Sequence, residues 1–114
     1  MESRNTMSKI PIESEKVLEP KLVKAVKAEG GWAIKLLATF VTGIPDRMCL
    51  FPGGRIVFVE MKTTGQKPRK IQRYVHRKLV RLGFIVLVID STPGIENLIQ
   101  WSRNGCKLET KVEL

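Results

Sequence analysis

The sequence predicts a single α/β domain in which helices flank a mixed central β-sheet. Its 114 residues are enough for one domain and too few for two. Hydrophobic residues make up 43% and charged residues 27%, which are ordinary values for a globular protein. Helical and strand-like periodicities alternate along the chain, with no internal repeat and no linker. We expect a flexible N-terminal lead over residues 1–12 and the domain over residues 13–114.

The first half of the domain begins with a helix whose apolar residues recur at helical spacing: Leu18, Leu22 and Val26. Gly30-Gly31 ends this helix, and Pro20 either starts it or bends it. A strand is expected over residues 32–39. Two further strands, 47–51 and 55–62, are joined by the turn sequence Pro52-Gly53-Gly54 and so form a hairpin.

The second half alternates helix and strand. Pro68 opens a helix that Gly83 closes, with an apolar stripe at Ile71, Val75, Leu79 and Leu82. The run over 84–89 is apolar on both faces, as expected of a buried strand. A helix then begins near Thr92 and ends at Asn104. The tail over 107–114 alternates polar and apolar residues, which predicts a half-buried strand.

The charge balance indicates a polyanionic partner. Twenty Lys and Arg residues against eleven Asp and Glu residues give a net charge of +9. A merely soluble basic protein is the plain alternative. A membrane-surface protein would need a basic amphipathic helix with exposed Trp or Phe, which the basic helix lacks. Nucleic acid is therefore the favoured partner.

Several other classes are excluded by the sequence. Two cysteines and one histidine cannot assemble a zinc site or a hydrolase triad in any common arrangement. No apolar stretch approaches the length of a membrane span, and the N-terminus lacks the apolar core of a signal peptide. We expect a protein that is not secreted and that works in the cytoplasm of a bacterium or phage-infected cell.

Glu60 and Lys62 are the unusual residues of the hairpin. Glu60 ends the apolar run 56–59, and residues two apart in a strand point to the same face. A local ion pair would explain these two residues alone. Asp46, however, falls opposite the Glu60 end of the hairpin. Two carboxylates and a lysine that converge there predict a divalent-cation site with Mg²⁺-type oxygen ligands, suited to phosphodiester hydrolysis.

These segments resemble the VRR-NUC domain of the PD-(D/E)XK nuclease superfamily, which has a restriction-endonuclease-like core. The resemblance covers roughly residues 13–100. The matching segments are Gly43-Ile44-Pro45-Asp46-Arg47, Phe58-Val59-Glu60-Met61-Lys62, Gln72 with Leu79, and Leu82-Gly83 before the apolar strand. The helix that contains Glu15 and Leu18 resembles the opening helix of that family.

The resemblance implies a role for each matching residue. Asp46, Glu60 and the backbone carbonyl of Met61 would bind Mg²⁺ or Mn²⁺, and Lys62 would be the catalytic lysine. Gln72 would help arrange the site, although a solvated helix residue is the alternative for it. Glu15 corresponds to the acid of the first helix, which contributes to the metal site or orders Lys62, with Glu19 as the fallback.

Basic residues on and before the helix that Pro68 opens form the predicted DNA-binding surface. No acidic partner lies one turn away from them, so phosphate contact explains them better than helix pairing does. The predicted DNA-binding residues of this region are Lys67, Arg69, Lys70, Arg73, Arg77 and Arg81. Lys35, on the strand after Gly30-Gly31, is a further candidate for phosphate contact, with a solvent-facing lysine as the alternative.

We therefore expect a metal-dependent endonuclease acting on branched DNA. Stand-alone domains of this type resemble Holliday-junction resolvases that act as homodimers, and they are frequent in phages. The alternatives are a nuclease for flaps, nicks or linear duplex, an inactive nuclease fold that only binds DNA, and a basic structural protein. The tail 107–114 is the candidate dimer interface.

Overall fold

A computed structural model describes residues 11–105 of the chain, and within them three helices and four strands form. In chain order these are α1 (Glu15–Ala28), β1 (Trp32–Lys35), β2 (Arg47–Phe51), β3 (Arg55–Met61), α2 (Lys70–Arg81), β4 (Ile85–Ile89) and α3 (Thr92–Asn104). The first ten residues of the lead predicted over 1–12 and the strand predicted over 107–114 lie outside the described residues.

The four strands form one mixed sheet in the order β1-β2-β3-β4. The first three strands are antiparallel, and β4 pairs in parallel with β3. The α2 helix supplies the crossover that a parallel pair requires. This arrangement confirms the predicted α/β class with a mixed sheet flanked by helices.

The two faces of the sheet have different coverings. Helices α1 and α3 pack on one face, where Leu18, Leu22 and Leu98 are fully buried against odd-numbered strand residues such as Val57 and Val59. The other face is covered by α2, whose buried residues are Gln72, Val75 and His76. Even-numbered strand residues such as Phe58 and Glu60 point to that side because side chains alternate along a strand. The sheet thus separates an apolar core from a more polar layer.

Three local expectations are corrected by the structure. The strand predicted over 32–39 ends at Lys35, because the partner strand begins only after Pro45, which has no N–H to donate. Helix α1 does not start at Pro20 but runs through it from Glu15; Pro20 is exposed, as is Lys16, whose carbonyl loses its helical donor.

The third correction concerns α2. Ile71 and Leu82, predicted to belong to its apolar stripe, are 40% and 71% exposed, whereas Gln72 and His76 face the sheet. The face of α2 that packs on the sheet therefore includes polar residues that the predicted apolar stripe did not contain. None of the helices within residues 11–105 is both long and apolar enough to span a bilayer.

Candidate active site

The candidate site lies where β2 begins and β3 ends. Arg47 pairs with Val59, so Asp46 and Glu60 are the next residues along the two strands. Asp46 Oδ2 accepts a 2.8 Å hydrogen bond from the Met61 amide. The hairpin register and this bond bring Asp46 beside the Glu60 end of β3, as the sequence predicted.

Gly43 fixes the loop that leads to Asp46. Its φ is +90°, and a Cβ at this position would lie 2.7 Å from the Ile71 carbonyl oxygen of α2. Only glycine permits both this backbone conformation and this close approach. Two residues later Pro45 is fully buried. The Gly43-Ile44-Pro45 segment therefore anchors the loop on α2 and presents Asp46 at the start of its strand.

Glu60 is almost completely buried, with only 2% of its surface exposed. Its Oε2 atom accepts a 2.8 Å hydrogen bond from the Gln72 amide nitrogen and lies 3.2 Å from Lys62 Nζ. Its Oε1 atom is buried and accepts no hydrogen bond from the residues that the structure describes. One carboxylate oxygen is thus held by two donors, and the other is left for a further ligand.

Burial and mutual repulsion raise the pKa of both carboxyl groups. The pKa of Glu60 rises to about 7, chiefly because of burial and then because of the nearby Asp46 charge, while Lys62 opposes the rise. Burial also raises the pKa of Asp46, against the hydrogen bond from the Met61 amide. Two carboxyl groups that resist ionising together would be stabilised by a cation between them.

Gln72 is oriented by the start of its own helix. Its Oε1 atom accepts a 2.7 Å hydrogen bond from the Arg69 amide, which satisfies one of the free donors at the N-terminus of α2. Because the oxygen is used there, the amide nitrogen faces Glu60. Gln72 is 7% exposed, so it lies in the interior rather than on the solvated helix surface.

The two acids of α1 have different surroundings. Glu15 is exposed, and its charge contributes to the raised pKa of Glu60. Glu19 pairs with Arg47 at 2.8 Å and with Lys35 at 3.4 Å, and its charge contributes to the raised pKa of Asp46. Both acids therefore lie near the site, and Glu19 is already occupied by two cations.

The predicted DNA-binding residues fall on two sides of the sheet. Lys35 is on the α1 side, where it contacts Glu19. The other six lie on α2 or on the loop before it, and within residues 11–105 none of them forms an ion pair with a carboxylate. They are Lys67, Arg69, Lys70, Arg73, Arg77 and Arg81. Arg73 also donates a 2.7 Å hydrogen bond to the Pro68 carbonyl, which bends its guanidinium back toward the loop.

His76 is a residue of this region that the sequence did not single out beyond rejecting it as part of a triad. It is fully buried, and neither ring nitrogen has a hydrogen-bond partner among the described residues. Burial, helped by the charge of Lys62, lowers its pKa to about 4. His76 follows Gln72 by four residues, so the two side chains lie on one face of α2. This spacing is the feature of the sequence that could have placed His76 near the site.

The loop after Lys62 is tied to the rest of the domain by Thr64. The Lys62 amide donates to the Ile89 carbonyl at 3.0 Å, and the Thr64 hydroxyl donates to the Asp90 carbonyl at 2.6 Å. The Glu13 amide in turn donates to Thr64 Oγ1 at 3.0 Å. These bonds hold the backbone on the C-terminal side of Lys62, so its side chain extends from a fixed base.

A divalent cation fits these donors. Within residues 11–105 no three His, Cys, Asp or Glu side chains cluster closely enough to hold a metal by themselves. The two carboxylates would therefore need the predicted Met61 carbonyl and water to complete an oxygen shell, as Mg²⁺ commonly does. The unpaired, buried Glu60 Oε1 is the observation that favours a cation here.

Comparison with known proteins agrees with this arrangement. No protein-family model matches the sequence. The chain is 42% identical over 77 residues to a protein named "Putative nuclease p44" from Acyrthosiphon pisum secondary endosymbiont phage 1; the match covers 68% of this chain and 83% of the phage protein. The structure is similar to a solved structure described as a VRR_NUC domain, with a TM-score of 0.69 and 29% identity over 77% of this chain and 97% of that one. The chain accordingly belongs to the VRR-NUC family of nucleases.

Proposed function

We propose that this nuclease is a Mg²⁺- or Mn²⁺-dependent endonuclease that hydrolyses phosphodiester bonds in branched DNA and acts as a homodimer. The observation that carries the metal-dependent chemistry is the convergence of Asp46, Glu60 and Lys62 at one end of the β2–β3 hairpin, with one Glu60 oxygen unpaired.

Asp46, Glu60 and the Met61 carbonyl would hold the metal. A divalent cation bound there would lower the pKa of a water molecule and stabilise negative charge on the phosphate. Lys62 is 13% exposed at its side chain, and its ammonium lies 3.2 Å from Glu60 Oε2. In that place it stabilises the developing charge on a phosphate oxygen or orients the attacking hydroxide.

The remaining site residues act by position. Gln72 holds Glu60 Oε2 at 2.8 Å, so the free Oε1 keeps one orientation. Glu15 is exposed and lies near enough to Glu60 for its charge to raise the Glu60 pKa, so it would act as the acid of the first helix. Glu19 is the less suitable candidate because Arg47 and Lys35 already bind it.

The DNA substrate is supported by charge and by family membership. A net charge of +9 on 114 residues suits a polyanion, and the unpaired cations of α2 offer phosphate contacts. A dimer suits branched DNA, because its two-fold symmetry would place two active sites against two symmetric strands of a junction. The loop before Asp46 exposes Leu37, Phe40 and Val41, at 53%, 84% and 47%, which offers apolar surface for a second copy.

The test is cleavage of a labelled four-way junction beside a flap and a linear duplex, with and without Mg²⁺ or Mn²⁺. Lys62→Ala runs alongside to exclude a contaminating nuclease, and light scattering measures the oligomeric state. Paired symmetric cuts in the junction alone, which require metal and Lys62, are the expected result together with a dimer mass.

The other results separate the alternatives. Cutting of flap or duplex in place of the junction would keep the metal chemistry and refute the preference for junctions. Metal-dependent cutting by a monomer would refute the dimer. DNA binding with no cleavage under any condition would identify an inactive nuclease fold that only binds DNA.

A further inference from the structure

A groove of about 500 Å³ runs between α1 and the edge of the sheet formed by β1 and β2. Its apolar lining consists of Pro20 and Val23. Its charged lining consists of five cations and one carboxylate: Lys16, Lys24, Lys27, Lys35, Arg47 and Glu19. The groove lies on the α1 side of the sheet, whereas the predicted basic stripe of α2 lies on the opposite side.

The groove has a strong excess of positive charge that the protein itself does not neutralise. Glu19, the one acid in its lining, is bound to Arg47 and Lys35. Lys16, Lys24 and Lys27 form no ion pair within residues 11–105, although other lysines and arginines of the domain do. Exposed cations kept apart from carboxylates beside an apolar lining are expected to bind an external anion.

The three unpaired lysines share one side of α1. Residues 16, 20, 23, 24 and 27 recur at helical spacing, so the cations and the apolar lining form one stripe. From Lys16 to Lys27 the helix rises about 16 Å, at 1.5 Å per residue. That length corresponds to about five nucleotides along one strand of B-DNA, at 3.4 Å each. The stripe therefore suits several consecutive phosphates better than one small anion.

One end of the groove adjoins the candidate active site. Arg47 follows Asp46 directly in the chain, and the guanidinium is fixed by a 3.1 Å hydrogen bond to the Ala33 carbonyl. Lys35 and Glu19 are close enough to Asp46 to influence its pKa. The groove and the site lie on opposite faces of the sheet and meet at the start of β2, where a strand bound at Asp46 and Glu60 would pass from one to the other.

We propose that the α1 groove binds the sugar–phosphate backbone of the DNA strand next to the cleaved phosphate. The inference rests on the proposed nuclease function and specifies where its substrate lies. The cations make phosphate contacts, and Pro20 and Val23 pack against the sugars. Contacts to the sugar–phosphate backbone position a strand without reading its bases, so we expect binding there to be independent of sequence.

The experiment measures binding of a short labelled DNA duplex by fluorescence anisotropy, without divalent metal, over a range of salt concentrations. The variant is Lys24→Gln with Lys27→Gln. The control is Lys21→Gln with Arg103→Gln, which removes the same charge at exposed positions where each cation already pairs with a glutamate. Thermal melting checks that both variants fold.

If the groove binds DNA, the Lys24/Lys27 variant loses affinity about tenfold or more. The slope of log K against log salt also falls in magnitude by about 2, roughly one for each lost phosphate contact. In cleavage assays its KM rises while kcat stays near the wild-type value, because the lysines contact the strand away from the reacting phosphate.

A loss equal to that of the control would overturn the groove assignment and leave the nuclease proposal intact, provided that the wild-type protein binds and cuts DNA. Failure of the wild-type protein to bind any DNA would instead refute the proposed function, and the groove assignment with it. The two failures are therefore distinguishable in one set of measurements.

Discussion

The polar layer under α2 and the groove beside α1 both place a glutamate next to cations, but the two glutamates are satisfied to different degrees. Glu60 is 2% exposed, and one of its oxygens has no partner among residues 11–105. Glu19 is 22% exposed at its side chain and binds both Arg47 and Lys35. The first region has more buried polar groups than internal partners for them, and the second has unpaired cations that water can solvate.

The two regions differ in how much stability their unsatisfied polar or charged groups cost when no ligand is bound. An unpaired buried polar atom costs roughly 1–3 kcal/mol, and in the part of the chain that the structure describes Glu60 and His76 together have three such atoms. These atoms therefore lower stability, and a cation bound at Glu60 Oε1 would remove one of the three costs. Exposed cations cost little because water and salt screen them. The groove therefore costs the protein comparatively little stability when no ligand is bound.

The largest expected effect comes from Glu60→Gln. The substitution keeps the shape of the side chain but removes the charge that would bind the metal, so cleavage should fall by at least about 10³-fold. DNA affinity measured without metal should stay within about twofold of wild type, because Glu60 is buried and makes no phosphate contact.

Glu96→Gln is the matched control, since Glu96 is exposed on α3 and the charge change is the same. Its cleavage rate should equal the wild-type rate. If Glu60→Gln cleaves as fast as Glu96→Gln, the assignment of Glu60 as a metal ligand is wrong.

The second effect concerns Gln72. Replacing Gln72 with Leu leaves Glu60 Oε2 with Lys62 alone, so the orientation of the free oxygen is no longer fixed. We expect a 10–100-fold weakening of the apparent metal affinity in cleavage assays. Gln100→Leu, the same substitution at an exposed position of α3, should leave the metal titration unchanged. An unchanged metal titration in Gln72→Leu would mean that the Gln72–Glu60 bond is only structural.

The third effect is a pH dependence of the free energy of unfolding in the metal-free protein. The pKa of His76 is about 4 in the folded state, below its ordinary value of 6.5, so stability falls as the pH drops from 6.5 toward 4. The pKa of Glu60 is about 7, above its ordinary value of 4.5, so stability falls as the pH rises from 4.5 toward 7. The two trends oppose each other and flatten the wild-type profile.

Single substitutions should separate these trends in urea titrations at several pH values. In His76→Leu, stability should decrease from pH 4.5 to 7, because the raised pKa values of Glu60 and Asp46 are left without the opposing histidine. In Glu60→Gln, stability should increase from pH 4 to 6.5. His76 is the one histidine in the sequence, so no other histidine side chain supplies this signal. Parallel profiles for the two variants would show that these groups do not ionise as the structure indicates.

Much of this architecture could be predicted from the sequence because its elements are short and clearly bounded. Pro52-Gly53-Gly54 set the hairpin, and the hairpin register brought Asp46 to Glu60. The helix through Pro20 and the early end of β1 could not be predicted in the same way. The first depends on the exposure of one carbonyl, and the second depends on which partner residue can donate a hydrogen bond.

The site was predictable where residues lie close along the hairpin, and less so where helices meet it. The inward orientation of Gln72 depends on the rotation of α2 about its own axis. The apolar residues of this helix predict that Ile71 and Leu82 face the sheet, whereas both are exposed. The α1 groove was missed for a related reason. Its lysines are separated along the helix by apolar residues, and only the packing of α1 against β1 and β2 aligns them with Arg47.

The smallest expected effect comes from Glu19→Gln, and its sign is opposite to that of the other substitutions in the groove. The variant releases Arg47 and Lys35 for phosphate contact, so DNA affinity should increase, roughly three- to tenfold, with a steeper salt dependence. Glu29→Gln is the control, because it frees Arg103 outside the groove with the same change in charge. Equal affinities for the two variants would argue against a groove that binds DNA. If the variant binds DNA more tightly and cleaves normally, Glu15 is the acid of the first helix. If it binds more tightly but no longer cleaves, Glu19 is that acid, and this one carboxylate serves both the groove and the metal site.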